Sequence, residues 1–247
     1  MLKRLDNFGV HQNYHIEIGP IVMNGIILLD KPPGISSARA VAWIKRLLPK
    51  PTKIGHAGTL DPFASGLLIL LIGKATRQSE RVMSWPKTYE ATIQLGATSP
   101  TDDTDSPQIV EIKGVTAPDE HELKEVLRRL VGTIQQRPPA YSALKIQGKR
   151  ACDRLRDGQA VELAARPVRI DTIDLLRYEW PHVYIKVACG RGTYIRALAR
   201  DVGQALGCGG LLAELRRSQI GDYSIEDACA LTELTPTNIS TYVTALK

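Results

Sequence analysis

The sequence lacks the features expected of a membrane protein, a disulfide-rich secreted protein or a zinc protein. Its longest apolar run, residues 66–73, is far shorter than the roughly 20 residues that span a bilayer. No charged and then apolar opening segment indicates a signal peptide. The four cysteines form no C-x-x-C pair, and the five histidines form no H-E-x-x-H motif. We therefore expect a cytoplasmic protein with reduced thiols, no membrane contact and no metal.

The composition is that of an ordinary globular chain, but its charge is unevenly distributed. The 247 residues are 43% hydrophobic and 23% charged, with a net charge of +6. Residues 137–156 contain six Arg or Lys and one Asp, whereas residues 100–125 contain eight Asp or Glu and two Lys. The basic segment is either a contact for a polyanion or a solvated face, and charge alone does not distinguish these.

Hydrophobic periodicity predicts an α+β fold with a mixed, largely antiparallel central sheet flanked by helices and loops. Strands are predicted at residues 26–29, 66–72, 87–95, 168–178 and 183–189. Helices are predicted from Ser36 or Ser37 to Leu48, from Asp119 through Val131, and from Thr193 to a stop at Gly207. One domain over residues 23–247 is the simplest account. Residues 1–22 have no convincing period and are expected to be an extension, either disordered or upstream of a true start at Met23.

Two segments resemble ligand-binding motifs without matching them. Residues 66–76 end in Gly-Lys-Ala-Thr, but a P-loop needs four residues between its glycines and a Ser or Thr after the lysine. The sequence Thr-Asp-Asp-Thr-Asp at residues 101–105 lacks the glycine and the distal glutamate of an EF-hand loop. We expect residues 101–105 to form a solvated acidic turn.

The strongest candidate site is the loop GHAGTLDPFASG at residues 55–66. Its glycines allow a backbone to approach a ligand closely, and Pro62 biases Asp61 away from helical conformation. Asp61 is either a catalytic carboxylate on a stiff loop or an aspartate that bonds its own turn.

A second candidate is CGRGTYIR at residues 189–196, where a predicted strand ends and a helix begins. Tyr194 and Arg196 would lie near the first turn of that helix, where free backbone N–H groups favour anions. The alternatives are a half-buried core Tyr194 and a solvent-facing Arg196.

These segments resemble the TruB family of tRNA pseudouridine synthases, which isomerise uridine 55 in the TψC loop. The matching segments are GIILLDKPPG at residues 25–34, the 55–66 loop, KTYEA at 87–91, RPPAYSALK at 137–145, GTYIR at 192–196, and LRR with GDY at 215–217 and 221–223. The resemblance implies the pseudouridine synthase fold over residues 23–247, with a basic thumb-like insertion at about residues 136–158. It also implies a short form without the C-terminal PUA domain of many members.

The resemblance assigns roles around a flipped base. Asp61 matches the catalytic aspartate, and Arg196 matches the arginine that pairs with it. Tyr89 matches the tyrosine that stacks on the flipped uracil, while Tyr194 and Leu215 match residues that line the base pocket.

The resemblance also implies contacts with the rest of the RNA loop. His56 matches the histidine that stacks where the base has left. Lys31 and the thumb residues Lys145, Lys149 and Arg150 are expected to bind RNA. The implied partner is the TψC stem-loop of tRNA, bound by a monomer.

The implied activity is that of an isomerase without a cofactor, because the uracil rejoins the same sugar and nothing is added. Asp61 could attack ribose C1′, remove a proton from C2′ or add to uracil C6, and the sequence does not choose among these steps. Two other functions stay open: an RNA-binding protein that helps tRNA fold, and pseudouridylation of another stem-loop RNA.

Overall fold

The computed structural model describes residues 23–142, 144–146, 148–161 and 163–247, so the predicted extension at residues 1–22 lies outside the described residues. The helices are α1 (Ser37–Leu47), α2 (Ser79–Ser84), α3 (Glu120–Arg129), α4 (Ala151–Arg156) and α5 (Ile195–Ala205). The strands are β1 (Gly25–Lys31), β2 (Ile54–His56), β3 (Ser65–Ile72), β4 (Lys87–Leu95), β5 (Ala97–Thr98), β6 (Val110–Glu111), β7 (Gly132–Gln136), β8 (Lys145–Ile146), β9 (Lys149–Arg150), β10 (Arg166–Glu179), β11 (His182–Cys189), β12 (Gly210–Ile220), β13 (Tyr223–Ser224) and β14 (Cys229–Ala230).

A ten-stranded sheet forms the centre of the structure. Its main path is β14-β1-β3-β12-β4-β11-β10-β7, with β2 paired to β3 and β13 paired to β12. Neighbouring strands are antiparallel except for the parallel pairs β1–β14 and β3–β12. The predicted α+β fold with a mixed, largely antiparallel sheet is therefore confirmed, and all five predicted strands lie within strands of this sheet.

The apolar run in β3 is buried on both faces of the sheet. Leu70 belongs to a cluster that includes Ile44 of α1, whereas its neighbour Ile69 belongs to a cluster that includes Val82 of α2. Because successive side chains of a strand point to opposite faces, a strand covered on both sides needs apolar residues at every position. The prediction of a buried strand rather than a helix is confirmed.

Two helices begin where the sequence predicts. The Ser36 hydroxyl accepts a hydrogen bond from the N–H of Arg39 at the start of α1, and an Asp119 oxygen accepts one from the N–H of Glu122 in α3. Helix α3 ends at Arg129, short of the predicted Val131, which is 40% exposed. The reason is Gly132, whose φ of +106° turns the chain into β7.

The sequence pattern places Thr193 at the start of α5 as its capping residue, and this prediction is wrong. Tyr194 occupies the cap position, and the Thr193 hydroxyl instead donates to the carbonyl of Arg169. The side chain of Gln136, at the end of β7, accepts from the Tyr194 N–H at 2.9 Å and donates to the Tyr194 carbonyl at 3.2 Å. A glutamine distant in sequence thus replaces the local cap.

The candidate loop also begins later than predicted. Gly55 and His56 belong to β2, where they pair with Leu71 and Leu70 of β3. The irregular backbone therefore runs over residues 57–64. Its first residue follows directly from the edge of the central sheet, which fixes the direction in which the loop leaves.

Candidate active site

A cavity of about 300 Å³ opens where the 57–64 loop, the start of α5 and strands β4 and β12 meet. Five of the predicted site residues line it: Asp61, Tyr89, Tyr194, Arg196 and Leu215. They come from four separate parts of the chain, and the sheet order brings β12 next to β4. The structure thus assembles the predicted base pocket in one place.

Asp61 and Arg196 form an ion pair at this cavity. Nε of Arg196 lies 3.0 Å from Oδ2 of Asp61, although its N–H is not aligned for a hydrogen bond, and Nη2 donates to Oδ1 at 3.4 Å. The Asp61 side chain is 34% exposed, whereas that of Arg196 is 6% exposed. The guanidinium of Arg196 is therefore buried beneath the Asp61 carboxylate, and the carboxylate is the more exposed partner at the cavity.

Arg196 has further partners that fix its position. Nη1 donates to the Thr101 carbonyl at 2.9 Å and lies 3.4 Å from the Asp103 carboxylate. Nη2 also donates to the Tyr141 carbonyl at 3.1 Å. Arg196 is thus surrounded by two carboxylates and two carbonyls, which compensates its burial.

The prediction of a solvated acidic turn at residues 101–105 is wrong. Asp103 is 4% exposed and accepts hydrogen bonds from the Thr101 hydroxyl and the Asp105 N–H. Asp102 pairs with Arg200 at 2.8 Å. Burial raises the pKa of both Asp102 and Asp103, and the neighbouring arginines act against this rise. The turn folds over α5 because two arginines on that helix attract it.

Lys31 holds the loop that carries Asp61 and is not placed to touch RNA. Its side chain is fully buried, and its ammonium donates to the carbonyls of Pro32, Ile35 and Pro62. Burial lowers the pKa of Lys31 to about 8, while the charge of Asp61 acts in the opposite direction. The prediction of an RNA contact is therefore corrected, since the three carbonyls occupy the ammonium within the protein.

Ser37 provides a second clamp on the same loop. Its hydroxyl donates to the Leu60 carbonyl at 3.0 Å and accepts from the Leu60 N–H at 2.9 Å. The Gly34 N–H donates to the Pro62 carbonyl at 2.8 Å. Residues on both sides of Asp61 are thus bonded to the turn after β1 or to the first residue of α1, which limits the positions that the carboxylate can take.

Arg217 is a site residue that sequence reasoning missed. It lines the cavity but is only 1% exposed, and its guanidinium donates to the carbonyls of Leu67 and Gly58. Among the described residues, no carboxylate lies within 4.0 Å of it. The alternation of side chains along a strand could have identified Arg217 as a cavity residue. Leu215 and Arg217 share one face of β12, whereas Arg216 pairs with Asp30 on the other face.

Tyr89 and His56 both lie under the influence of Arg217. Tyr89 is 9% exposed, and burial raises the pKa of its hydroxyl beside this guanidinium. His56 is half-buried and does not line the cavity, and its Nδ1 has no partner among the described residues. Burial and, after it, the charge of Arg217 lower the pKa of His56, which favours a neutral imidazole. The predicted roles of both residues toward RNA remain predictions.

The predicted thumb contains a short hairpin of β8 and β9 followed by α4. Lys149 forms an ion pair with Asp157. The side chains of Lys145 and Arg150 lie outside the described part of the structure, so their predicted RNA contacts stay predictions. Among the described residues, no group of His, Cys, Asp and Glu is arranged to hold a metal ion, and no helix is long and apolar enough to cross a membrane.

Two family models together match residues 45–242, a range that includes every residue lining the cavity. Residues 45–195 match the model of the TruB family pseudouridylate synthase N-terminal domain, and residues 196–242 match the tRNA pseudouridylate synthase B C-terminal domain. The chain belongs to the TruB family. The border between the two TruB models separates Asp61 from Arg196, so the ion pair joins residues from both.

Curated relatives support the same membership. Proteins named tRNA pseudouridine synthase B are 47% identical over 214 residues in Cupriavidus metallidurans (86% of this chain, 67% of the relative). The values are 44% over 220 residues in Bordetella pertussis (87% and 88%) and 44% over 216 residues in Aromatoleum aromaticum (86% and 68%).

Solved structures show the same fold. A Cbf5–Nop10–Gar1 complex contains a chain 32% identical with a TM-score of 0.66, matched over 86% of this chain and 54% of that one. The archaeal box H/ACA sRNP Nop10–Cbf5 complex contains a chain 29% identical with a TM-score of 0.64, matched over 90% of this chain and 58% of that one. This TruB chain thus spans little more than half the length of those solved chains, and the predicted pseudouridine synthase fold is confirmed.

Proposed function

We propose that this protein isomerises uridine 55 in the TψC loop of tRNA to pseudouridine. The observation that carries the proposal is the Asp61 carboxylate, which faces a cavity of about 300 Å³ and is held from behind by the buried Arg196. The named tRNA pseudouridine synthases at 40–47% identity support tRNA as the substrate.

The cavity suits a nucleobase that has left its stack. A uridine inside a folded RNA loop must be extruded to reach Asp61, at a cost of a few kcal/mol. Tyr89 offers an aromatic surface, and stacking on it would return roughly 1–3 kcal/mol. Leu215 and Tyr194, which line the cavity, would close the pocket around the base, and His56, which lies outside the cavity, would fill the gap in the RNA loop.

Asp61 would act on the sugar or the base. Breaking the bond from C1′ to N1 leaves positive charge on the ribose, which an ionised carboxylate stabilises. The adjacent guanidinium of Arg196 holds the Asp61 carboxylate in position through their ion pair. Attack at C1′, proton removal at C2′ and addition to C6 all remain compatible with this geometry. In each case the new bond joins C1′ to C5, the C5 proton leaves to solvent, and N1 gains a proton.

The same proposal covers partners and organisation. Residues 23–247 would form one catalytic domain that works as a cytoplasmic monomer without a cofactor. The thumb at residues 136–158 would close on the RNA stem-loop through Lys145, Lys149 and Arg150. Neutralising these three residues should weaken binding and reduce its salt dependence.

Tritium release from a tRNA transcript labelled at uracil C5 tests the proposal, because forming the new bond frees that hydrogen. Release by the wild type, with none from a transcript carrying cytidine at position 55 and none by Asp61→Asn, would support it. Release by Asp61→Asn would remove Asp61 from catalysis. No release by the wild type despite tight tRNA binding would favour a folding chaperone, and release only from another stem-loop RNA would favour a different substrate.

A further inference from the structure

A second basic region lies outside the predicted thumb. Between residues 31 and 79 the chain contains eight Arg or Lys, and Asp61 is the one acidic residue. Lys31 is buried, and Arg77 is exposed at the C-terminal end of this stretch. The other six form what we call the α1 basic surface: Arg39, Lys45, Arg46, Lys50, Lys53 and Lys74. All six are exposed.

The cations of the α1 basic surface are unpaired. Among the described residues, none of them has a carboxylate within 4.0 Å. Exposed cations elsewhere commonly have such a partner, as Lys124 does with Glu120, Arg169 with Asp171 and Lys149 with Asp157. An unpaired cluster produces a stronger positive potential than the same number of paired charges.

An exposed tryptophan lies within this surface. Trp43 on α1 is 48% exposed, whereas its neighbour Ile44 on the same helix is fully buried. Arg39, Trp43 and Arg46 follow the i, i+4, i+7 spacing of one helix face, turned away from the buried Ala40 and Ile44. An exposed aromatic ring on the same helix face as two guanidinium groups is a combination that contacts nucleotides through stacking and phosphates through charge.

The α1 basic surface adjoins the candidate active site through β2. The Lys53 carbonyl accepts a hydrogen bond of 2.7 Å from the Gly73 N–H, which brings the connection before β2 beside the turn that carries Lys74. From Lys53 the chain runs directly along β2 to His56, a span of about 10 Å at the rise of a strand, and Gly58, two residues further along, lines the cavity. An RNA bound at the cavity would therefore continue within reach of these cations.

We propose that the α1 basic surface binds the phosphate backbone of the substrate tRNA outside its TψC stem-loop. This inference rests on the proposed function. Nucleic acid is favoured over an acidic protein or an anionic membrane because the surface combines unpaired cations with Trp43 and lies next to a pocket suited to a flipped nucleotide. The surface would add affinity for whole tRNA without taking part in the chemistry.

The test compares full-length tRNA with the isolated TψC stem-loop. In Lys45→Gln/Lys50→Gln/Lys53→Gln, the dissociation constant for full-length tRNA should rise about tenfold. The negative slope of the logarithm of the association constant against the logarithm of the salt concentration should become shallower by about 2 to 3. The constant for the stem-loop should change by less than about twofold. The matched control is Lys113→Gln/Lys124→Gln/Lys186→Gln, three exposed lysines on other elements, which should leave both constants unchanged.

Three outcomes would overturn the proposal. Equal losses for both RNAs would assign these lysines to the stem-loop site, and no loss for either would make the surface a solvated face. A loss in the control variant as large as in the test variant would show a general charge effect. Pseudouridine formation by the wild type on the stem-loop is measured alongside, so that failure of the proposed function is seen separately.

A fluorescence measurement tests the same surface without changing its charge. In Trp85→Phe/Trp180→Phe, Trp43 is the remaining tryptophan. Its emission should change when full-length tRNA saturates the protein and should stay constant with the isolated stem-loop. Unchanged emission with full-length tRNA would contradict the proposal.

Discussion

The backbone carbonyl of Tyr141 accepts a hydrogen bond of 3.1 Å from Nη2 of Arg196. The same nitrogen donates to Asp61 over a longer distance of 3.4 Å. Tyr141 belongs to the predicted thumb at residues 136–158, so this segment and the carboxylate share one guanidinium group. A displacement of the thumb would therefore alter how Arg196 holds Asp61.

Asp103→Asn should slow pseudouridine formation although Asp103 does not touch the cavity. Its carboxylate lies 3.4 Å from Arg196, and neutralising it changes the charge balance that positions the guanidinium against Asp61. We expect a rate at saturating tRNA lower by about ten- to a hundredfold, or ~1.4–2.7 kcal/mol of activation free energy. Tritium release in single turnover gives this rate. The control is Asp105→Asn, an exposed neighbour, and equal rates for the two variants would contradict the prediction.

Tyr89→Leu should lower turnover more than RNA affinity. The substitution keeps an apolar side chain in the pocket but removes the ring that a flipped uracil would stack on, worth roughly 1–3 kcal/mol. The comparison needs the rate at saturating tRNA and the dissociation constant from filter binding. Tyr89→Phe retains the ring and should keep most of the rate, so a Phe variant as slow as the Leu variant would point to the hydroxyl instead of stacking.

Arg217→Met should raise the pKa of His56. Burial and the Arg217 charge both lower that pKa in the wild type, and the substitution removes the second cause while burial remains. The pKa should thus move back toward its ordinary value without reaching it. NMR titration of the imidazole measures the shift. Arg216→Met provides the control, because Arg216 pairs with Asp30; an identical His56 pKa in wild type and Arg217→Met would refute the assignment.

Lys31→Met should flatten the dependence of stability on pH in alkaline solution. Burial lowers the pKa of Lys31 from 10.5 to about 8, so between these values the unfolded chain binds a proton that the folded protein does not. The free energy of unfolding therefore gains a positive slope with pH in this window, and Lys31→Met removes it. Urea denaturation across pH 8 to 10.5 measures the slope. Lys113→Met is the exposed control, and parallel curves for wild type and Lys31→Met would be the contrary result.

Local patterns were sufficient for much of the framework. The apolar run at residues 66–72 predicts a strand covered on both faces, and the side chains of Ser36 and Asp119 predict two helix starts that the structure confirms. These features depend on neighbours within a few residues. The grouping of Asp61, Tyr89 and Arg196 came from the resemblance, because no local rule relates residues so far apart in sequence.

The remaining features depend on partners that are distant in the chain. Asp103 looks like part of a solvated turn until Arg196 is brought against it, and Lys31 looks like a surface cation until three carbonyls surround it. Gln136 replaces Thr193 at the start of α5 for the same reason. In each case a polar group is buried because tertiary structure supplies its partner, and sequence patterns treat such groups as exposed.

The position of β12 determines when this protein becomes functional during its own synthesis. The strand inserts between β3 and β4, both of which come from the first half of the chain, and it carries Leu215 and Arg217 into the cavity. A nascent chain that ends before β12 contains Asp61 and Tyr89 but lacks the strand that lies between β3 and β4. The pocket is therefore completed only after β12 has been synthesised, so a growing chain that ends before this strand has no finished site.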